Sequence, residues 1–317
     1  MGKHTMKDLY ELQALPLYLK VRLTKQRIRE WISHYGEDGV YVSFSGGKDS
    51  TVLLHLVREQ FPTIPGVFCD TGLEFPEIRE FVKEFENITW LKPKKNFRQV
   101  IEEFGYPFIS KEVAEKVREA RSKEGGYAWR VLHGSKAGTP WDLSKYQYLL
   151  DSPYQFGAWC CRVMKKHPAK NYEKKTGRYP IMGQMASESR VRKIEWIKHG
   201  CNGFDKTRPT SNPMSFWTDQ DVLQYIKENN IPICSVYGDI VKGVDGKLHL
   251  TGRKRTGCIF CGFGCHLQKE GEGTFERLRE SHPKLHQYIM KPWDEGGLGY
   301  KDVIDWLNEN GNLNIRY

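Results

Sequence analysis

The sequence predicts an α/β protein: an open, mostly parallel five-stranded sheet with helices on both faces, a helical N-terminal lead and a small cysteine-containing C-terminal segment. Three observations predict it. Apolar runs rich in β-branched and aromatic residues recur at 40–44, Gly66–Cys69, Ile88–Leu91 and Tyr179–Met182, and such runs read as strands covered on both faces. Stretches of helical character stand between them, as βαβ units require. At 317 residues the chain can bury a substantial core and suits one large α/β domain with appendages. The expected parts are a lead over 1–38, the α/β domain over 39–242 and the cysteine segment over 243–317.

In the lead, residues 9–35 have a helical pattern. Leu17, Val21, Ile28, Trp31 and Ile32 share one face, with Lys20, Arg22, Lys25, Arg27 and Arg29 as a basic remainder. That face packs on the sheet, and the charged remainder is solvated or touches nucleic acid.

The first strand runs straight into Ser45-Gly46-Gly47-Lys48-Asp49-Ser50, and an apolar helix follows from Thr51 until Pro62. Two glycines let the backbone turn without a Cβ clash. Strand, glycine turn and helix aim free N–H groups and the positive helix end at a phosphate. Lys48 adds a point charge, while Ser45, Ser50 and Thr51 add hydroxyls. The spacing is not that of the Walker loop.

The second strand ends in Asp70-Thr71-Gly72-Leu73-Glu74-Phe75-Pro76-Glu77. Carboxylates just past a strand's carboxyl end sit at the ligand crevice of an open α/β sheet. Pro76 then opens a helix. After the third strand, Lys92, Lys94 and Lys95 form a basic loop, with helices expected at Phe97–Phe104 and 111–120. Residues 122–153 are glycine-rich and poorly periodic, in keeping with an active-site cover. Behind the fourth strand, Glu188 and Arg192 are spaced for a helical ion pair. Thr218 with Asp221 three residues on marks a helix start.

These motifs resemble the phosphoadenosine-phosphosulfate (PAPS) reductase-like family of ATP-pyrophosphatases, whose fold is of the adenine nucleotide α-hydrolase (HUP) type. Ser45–Ser50 looks like the pyrophosphate loop and 70–77 like the second signature. Gly183, Glu188, Ser189 and Arg192 match the pattern Gly-x-Arg-x-x-Glu-Ser-x-x-Arg, whereas Met185 replaces its first Arg. The run from Trp217 through Ile231-Pro232 to Tyr237 is also similar and reads as architecture. The resemblance implies ATP with Mg²⁺ as cofactors. It implies nucleotide contacts by Ser43, Ser45, Gly46, Gly47, Lys48, Asp49, Ser50, Asp70, Gly72, Glu74, Gly183, Glu188 and Ser189. Lys48, Asp49, Ser50, Asp70 and Arg192 would serve the chemistry.

Cys160-Cys161 stand side by side, and Cys258 and Cys261 form a C-x-x-C. Four thiolates suit an iron–sulfur centre or tetrahedral zinc, though zinc ligands are seldom adjacent. The arrangement is similar to that of iron–sulfur adenylyl-sulfate (APS) reductases, which implies a 4Fe–4S cluster on Cys160, Cys161, Cys258 and Cys261. Cys265 is a reserve ligand or sulfur-handling thiol, and Cys69, Cys201 and Cys234 read as small buried apolar residues.

Lys and Arg number 49 against 39 Asp and Glu, a net charge of +10, compatible with nucleic-acid phosphates. No run is long and apolar enough for a membrane span, and the first residues lack a secretion signal. A cytoplasmic protein is expected, whose eight cysteines serve metal or redox chemistry. The expected function is adenylating, pyrophosphate-releasing sulfur transfer to DNA or tRNA. A partner such as a cysteine desulfurase would donate sulfur, and the chain would act as a homodimer or a modification-complex subunit. The alternatives are APS/PAPS reduction, against which the intact loop and the absence of a cysteine after Cys265 speak, and a non-catalytic nucleotide- and cluster-binding subunit.

Overall fold

In the computed structural model, which describes residues 3–317, the chain begins with α1 (Met6–Ala14), α2 (Leu17–Tyr35), β1 (Val40–Ser43) and α3 (Lys48–Arg58). There follow β2 (Gly66–Cys69), α4 (Pro76–Lys83), β3 (Ile88–Leu91), α5 (Phe97–Phe104), β4 (Phe108–Ile109), α6 (Lys111–Ser122) and α7 (Tyr127–Leu132). Next are α8 (His167–Thr176), β5 (Tyr179–Met182), α9 (Arg190–His199), β6 (Asn202–Gly203), β7 (Thr210–Ser211), α10 (Asp219–Glu228), β8 (Ile240–Lys242) and β9 (Leu248–Leu250). β10 (Gly262–Phe263), α11 (Thr274–Ser281), α12 (Pro283–Met290) and α13 (Tyr300–Gly311) complete the order.

Two compact units divide the chain. The first takes the described residues up to Asp70, with Glu74–Lys92 and Pro168–Thr256; the second takes Thr71–Leu73, Pro93–His167 and Gly257–Tyr317. The linear borders expected at 38/39 and 242/243 do not follow this division, and Met1 and Gly2 of the expected lead lie outside the described residues. The chain leaves the first unit after β3 and re-enters it at α8, so no cut along the sequence can separate the units. Residues 243–256 stay with the first unit because Gln220 of α10 exchanges two hydrogen bonds with the backbone of Leu248, at 2.8 and 2.9 Å.

The first unit holds a sheet of order β3-β2-β1-β5-β7-β6. Neighbours from β3 to β7 are parallel, which is the expected five-stranded part, and β6 adds a sixth, antiparallel strand of two residues at the edge. Val40, Tyr41 and Val42 are at most 1% exposed, in keeping with a central strand covered on both faces.

The single N-terminal helix expected over 9–35 is two helices. Pro16 offers no N–H and disfavours helical geometry at Leu15, which is extended at ψ 147°. Ile28, Trp31 and Ile32 are buried as their spacing predicts. Lys20 departs from the solvated basic face: it is 2% exposed and forms an ion pair with Asp221 at 2.7 Å. Thr24 of the same helix accepts a hydrogen bond from the Trp217 indole at 2.8 Å.

In the second unit β4 and β10 pair in parallel and α5, α6, α7 and α11–α13 pack around them. Arg98 donates to the carbonyls of Gly297 and Trp293, Tyr106 to that of Leu298 and Tyr300 to that of Phe260. The segment 122–153 is more ordered than its composition suggests. It contains α7 and a 3₁₀ stretch at Ser144–Asp151, tied down because Arg121 donates to the carbonyls of Leu149, Ser152 and Tyr154. Among the described residues, no helix is long and apolar enough to cross a membrane.

Removing one partner of a buried ion pair leaves an uncompensated charge, at a cost of about 3–5 kcal/mol. Asp221→Ala should therefore lower the unfolding free energy read from urea titration by that order, whereas exposed Arg22→Ala should stay within about 0.5 kcal/mol.

Candidate functional site

β1 delivers the chain to a turn built from its own polar groups. The Ser45 N–H donates to Ser50 Oγ at 3.1 Å, and Ser50 Oγ donates to the Gly47 carbonyl at 2.8 Å. Gly46 has φ +70°, and a Cβ there would lie 2.8 Å from Val82 Cγ2 and 2.9 Å from Ile78 Cγ2 of α4. Both the left-handed backbone and the close helix demand glycine. Behind the loop, a Cβ on Gly183 would lie 3.0 Å from the Asp49 carbonyl oxygen. The second glycine motif thus lets the end of β5 approach the start of α3.

Helix α3 begins at Lys48, three residues earlier than its apolar pattern. Its first N–H groups have no partner one turn back; that of Lys48 donates to the Tyr237 hydroxyl at 3.1 Å, and the same hydroxyl shares a 2.7 Å hydrogen bond with Thr256. The Lys48 ammonium is buried, at 3% exposure, between Asp49 Oδ1 at 2.7 Å and Asp219 Oδ1 at 2.9 Å. Burial opposes its charge, but the two carboxylates outweigh burial and hold its pKa above the ordinary lysine value. Arg192 lies in the field of Asp49, and its pKa is lowered by burial and by neighbouring Arg255. Arg192 forms an ion pair with Glu188, which Arg255 approaches at 4.0 Å. Lys48, Arg192 and Arg255 thus stand with Asp49, Asp219 and Glu188 in one network of interleaved charges.

The structure brings Ser45, Gly46, Gly47, Lys48, Asp49, Ser50 and Gly183 together in the first unit, one step beyond Ser43 at the end of β1. Glu188 and Arg192 realise the helical ion pair that their spacing allows, and Ser189 caps α9 by accepting from the Arg192 N–H at 3.3 Å. Met185, where the pattern has arginine, is 1% exposed and belongs to the core. Asp70 and Glu74 are buried, and Asp70 pairs with Arg79 at 2.9 Å. Gly72 belongs to the second unit, apart from these two. Sequence reasoning missed Asp219, Tyr237 and Thr256, each far along the chain from the loop. The one signal for Asp219 and Tyr237 was that Trp217–Tyr237 resembles a family run otherwise read as scaffold; Thr256 lies outside that run.

The cysteines form a separate cluster in the second unit. Cys160, Cys161, Cys258 and Cys261 line one cavity of about 20 Å³ with Leu73, Phe97 and Lys165 among its walls. Cys160 and Cys161 lead into a wide π-type turn at Arg162–Lys166, and the Cys258–Cys261 turn is pinned by the Ile259 N–H donating to the Leu73 carbonyl at 2.8 Å. Cys161 is held well below the ordinary thiol value by a hydrogen bond from Cys160 and, against burial, by the Lys111 and Lys165 ammonium groups; Cys160 is correspondingly raised. Burial pushes Cys261 up to about 11 and Cys265 up to about 12. Among the described residues no three or more His, Cys, Asp or Glu stand ready-placed around a metal position. Four soft sulfur donors without a competing carboxylate nonetheless suit iron–sulfur or zinc. The cavity has room for about one water, so a multinuclear centre would spread the thiols apart. Of the remaining cysteines, Cys201 and Cys234 are buried as expected and Cys69 is half-buried.

Two outcomes follow from this geometry. Gly46→Ala should lower the melting temperature by several degrees, as expected for about 1–3 kcal/mol of backbone strain. In metal-free protein, Cys161 should react with iodoacetamide below the ordinary thiol pKa of about 8.5, and at clearly lower pH than Cys261. Peptide mass spectrometry across pH checks both, and Lys111→Ala should move the Cys161 profile upward.

Against known proteins, the phosphoadenosine phosphosulfate reductase domain matches residues 39–123 and 135–262. An uncharacterized protein of Methanocaldococcus jannaschii is 27% identical over 253 residues, covering 78% of this chain and 45% of that protein, so the chain spans about half of that relative's length. A phosphoadenosine 5′-phosphosulfate reductase of Xanthomonas campestris pv. campestris is 37% identical over 74 residues, 23% of this chain and 30% of that protein. Among solved structures, the PAPS reductase from Candida auris in its phosphate complex has TM-score 0.39 and 14% identity, covering 73% of this chain and 90% of its own. The Candida glabrata FMN adenylyltransferase has TM-score 0.40 and 12% identity, covering 72% and 64%. Both structural likenesses are distant. The family match, in contrast, takes in more than half of the chain, from β1 and its glycine loop to the second cysteine pair: the chain belongs to the phosphoadenosine phosphosulfate reductase domain family.

Proposed function

We propose that this protein is an ATP-dependent, pyrophosphate-releasing sulfur-transfer enzyme whose acceptor is a nucleic acid. One observation carries the reading. An intact Ser-Gly-Gly-Lys-Asp-Ser loop turns out of β1 so that the N-terminal amides of α3 stand beside a buried ammonium, the equipment for a departing diphosphate.

An acceptor oxygen attacks the α-phosphorus of ATP, the bond to the bridging oxygen breaks, and pyrophosphate leaves with that electron pair. The loop amides and Lys48 stabilise the charge growing on it. The phosphates compete with Asp219 for Lys48, and Asp49 would hold Mg²⁺, which would neutralise charge on the triphosphate. Arg192 and Arg255 balance the remaining negative charge. The outer sulfur of a persulfide on a donor such as a cysteine desulfurase then displaces AMP, and a second thiol cleaves the disulfide so formed, leaving carbon– or phosphorus–sulfur in place of oxygen and a disulfide on the donor side. Cys160, Cys161, Cys258 and Cys261 would hold a 4Fe–4S cluster, which supplies a sulfur-rich redox centre when bound. Lys111 and Lys165 offset the negative charge of its thiolates. The net charge of +10 favours a polyanionic acceptor.

APS or PAPS reduction is the second reading, favoured by the 37% identity with a PAPS reductase over 74 residues. Purified anaerobic protein separates the two: pyrophosphate from ATP supports the first, and sulfite from APS or PAPS with thioredoxin supports the second. Lys48→Ala should cut pyrophosphate release by about a hundredfold or more with iron content unchanged. Cys161→Ser should lower iron from about four per chain before it affects nucleotide binding. Normal turnover by Lys48→Ala would remove the loop from the mechanism, and stoichiometric zinc in a colourless protein would remove the cluster.

A further inference from the structure

The two stretches that match the family leave out residues 124–134, and this segment holds α7. At 100° per residue, Ala128, Val131 and Leu132 fall on one side of the helix, and all three are buried. Trp129, Arg130 and His133 fall on the other, with Tyr127 at the border between the two. Tyr127 is 57% exposed, and the Lys116 ammonium of α6 sits 5.1 Å from its ring centre. Trp129 and His133 are stacked one turn apart, ring centroids 3.6 Å apart and planes 19° from parallel. Arg130 is exposed and donates to the Gly125 carbonyl, which braces it along the helix. A buried-side account explains none of these rings, since the core contact of α7 is made by the other three residues.

We propose that this face of α7 is a stacking platform for a single-stranded polynucleotide. Alternation of flat rings with cations is what unpaired bases and their phosphates require: rings accept bases of any identity, and cations track the backbone. A protein partner is the poorer fit, because the centre of a protein interface is depleted in charge, whereas here the exposed Arg130 stands among the rings. A duplex fits less well, since its bases are already stacked on one another. The surroundings agree: residues 111–136 carry seven Lys and Arg against four Glu. Of those carboxylates, Glu119 pairs with Lys116 and Glu115 with Arg118, while Glu112 and Glu124 remain exposed at the margins.

The inference deepens the nucleic-acid part of the proposed function and rests on that reading, so its test scores binding and catalysis separately. The probe is a fluorescein-labelled oligothymidylate of about 15 residues, a length within the range of single-strand sites, titrated by anisotropy against the full chain at two salt concentrations. Wild type should bind with an affinity that falls as salt rises. Tyr127→Ala and Trp129→Ala should each weaken binding about tenfold, and Arg130→Gln should weaken it while flattening the salt dependence. Tyr127→Ala decides the matter if Trp129→Ala melts early, because Tyr127 lies on the surface. All these variants should keep the wild-type affinity for ATP. No binding by wild type at low salt, unchanged affinity in Tyr127→Ala, or equal competition by the matching duplex would each overturn the platform. So would self-association of the wild type that Tyr127→Ala abolishes while oligothymidylate binding persists. Platform failure with Lys48-dependent pyrophosphate release intact leaves the proposed function standing. Ring-dependent binding without any release leaves the platform standing and removes the catalytic reading.

Discussion

An ammonium group kept out of water at the head of a parallel strand is the constraint around which the first unit is arranged. Lys48 is 3% exposed, and a lysine in that position stays charged only if carboxylates meet it. Asp49 does so from the next residue and Asp219 from the first turn of α10. Asp219 can hold its place because the start of α10 is itself anchored. Thr218 and Asp221 cap the helix reciprocally, and Asp221 reaches on to Lys20 of α2. Trp217, just ahead, donates to Thr24 of the same helix. The N-terminal helix thus braces the element that meets the loop, and its contribution to the site is mechanical.

The same logic runs through the glycines. Gly46 turns the chain where the side chains of α4 leave no room for a Cβ, and Gly183 lets the end of β5 come against Asp49. Close backbone approach at both points is what leaves the amides of α3 facing outward from the carboxyl edge of the sheet, where open α/β sheets place their ligands. Tyr237 takes up one of those amides and links it to Thr256, so the loop is held in shape by hydrogen bonds from sequence-distant groups.

In the second unit the organising charge has the opposite sign. Four thiols gathered around one cavity repel proton loss from one another, and burial adds to that, as the raised Cys261 shows. At Cys161 a hydrogen bond from Cys160, with help from Lys111 and Lys165, reverses the balance. One thiolate in a set of four is a natural entry point for a metal, whose first bond needs a deprotonated ligand.

Much of this was legible in the residues taken in order. The apolar runs placed β1, β2, β3 and β5, the glycine loop announced the turn from β1 into α3, and the two cysteine pairs announced one another. Each of these signals is local, or repeats a spacing that chemistry demands, so the linear chain carries it. The sixth strand at the sheet edge is only two residues long and too short to leave a pattern. The break at Pro16 was visible as a residue and missed as a consequence. The division into two discontinuous units, the burial of Lys20 by Asp221, and the pairing of Lys48 with Asp219 had no local trace at all. They arise where segments as much as 201 residues apart are brought into contact. The sequence by itself determined which elements form and which chemistry they carry; tertiary structure alone decided which charges meet, because burial of an ion depends on neighbours that only the folded chain supplies.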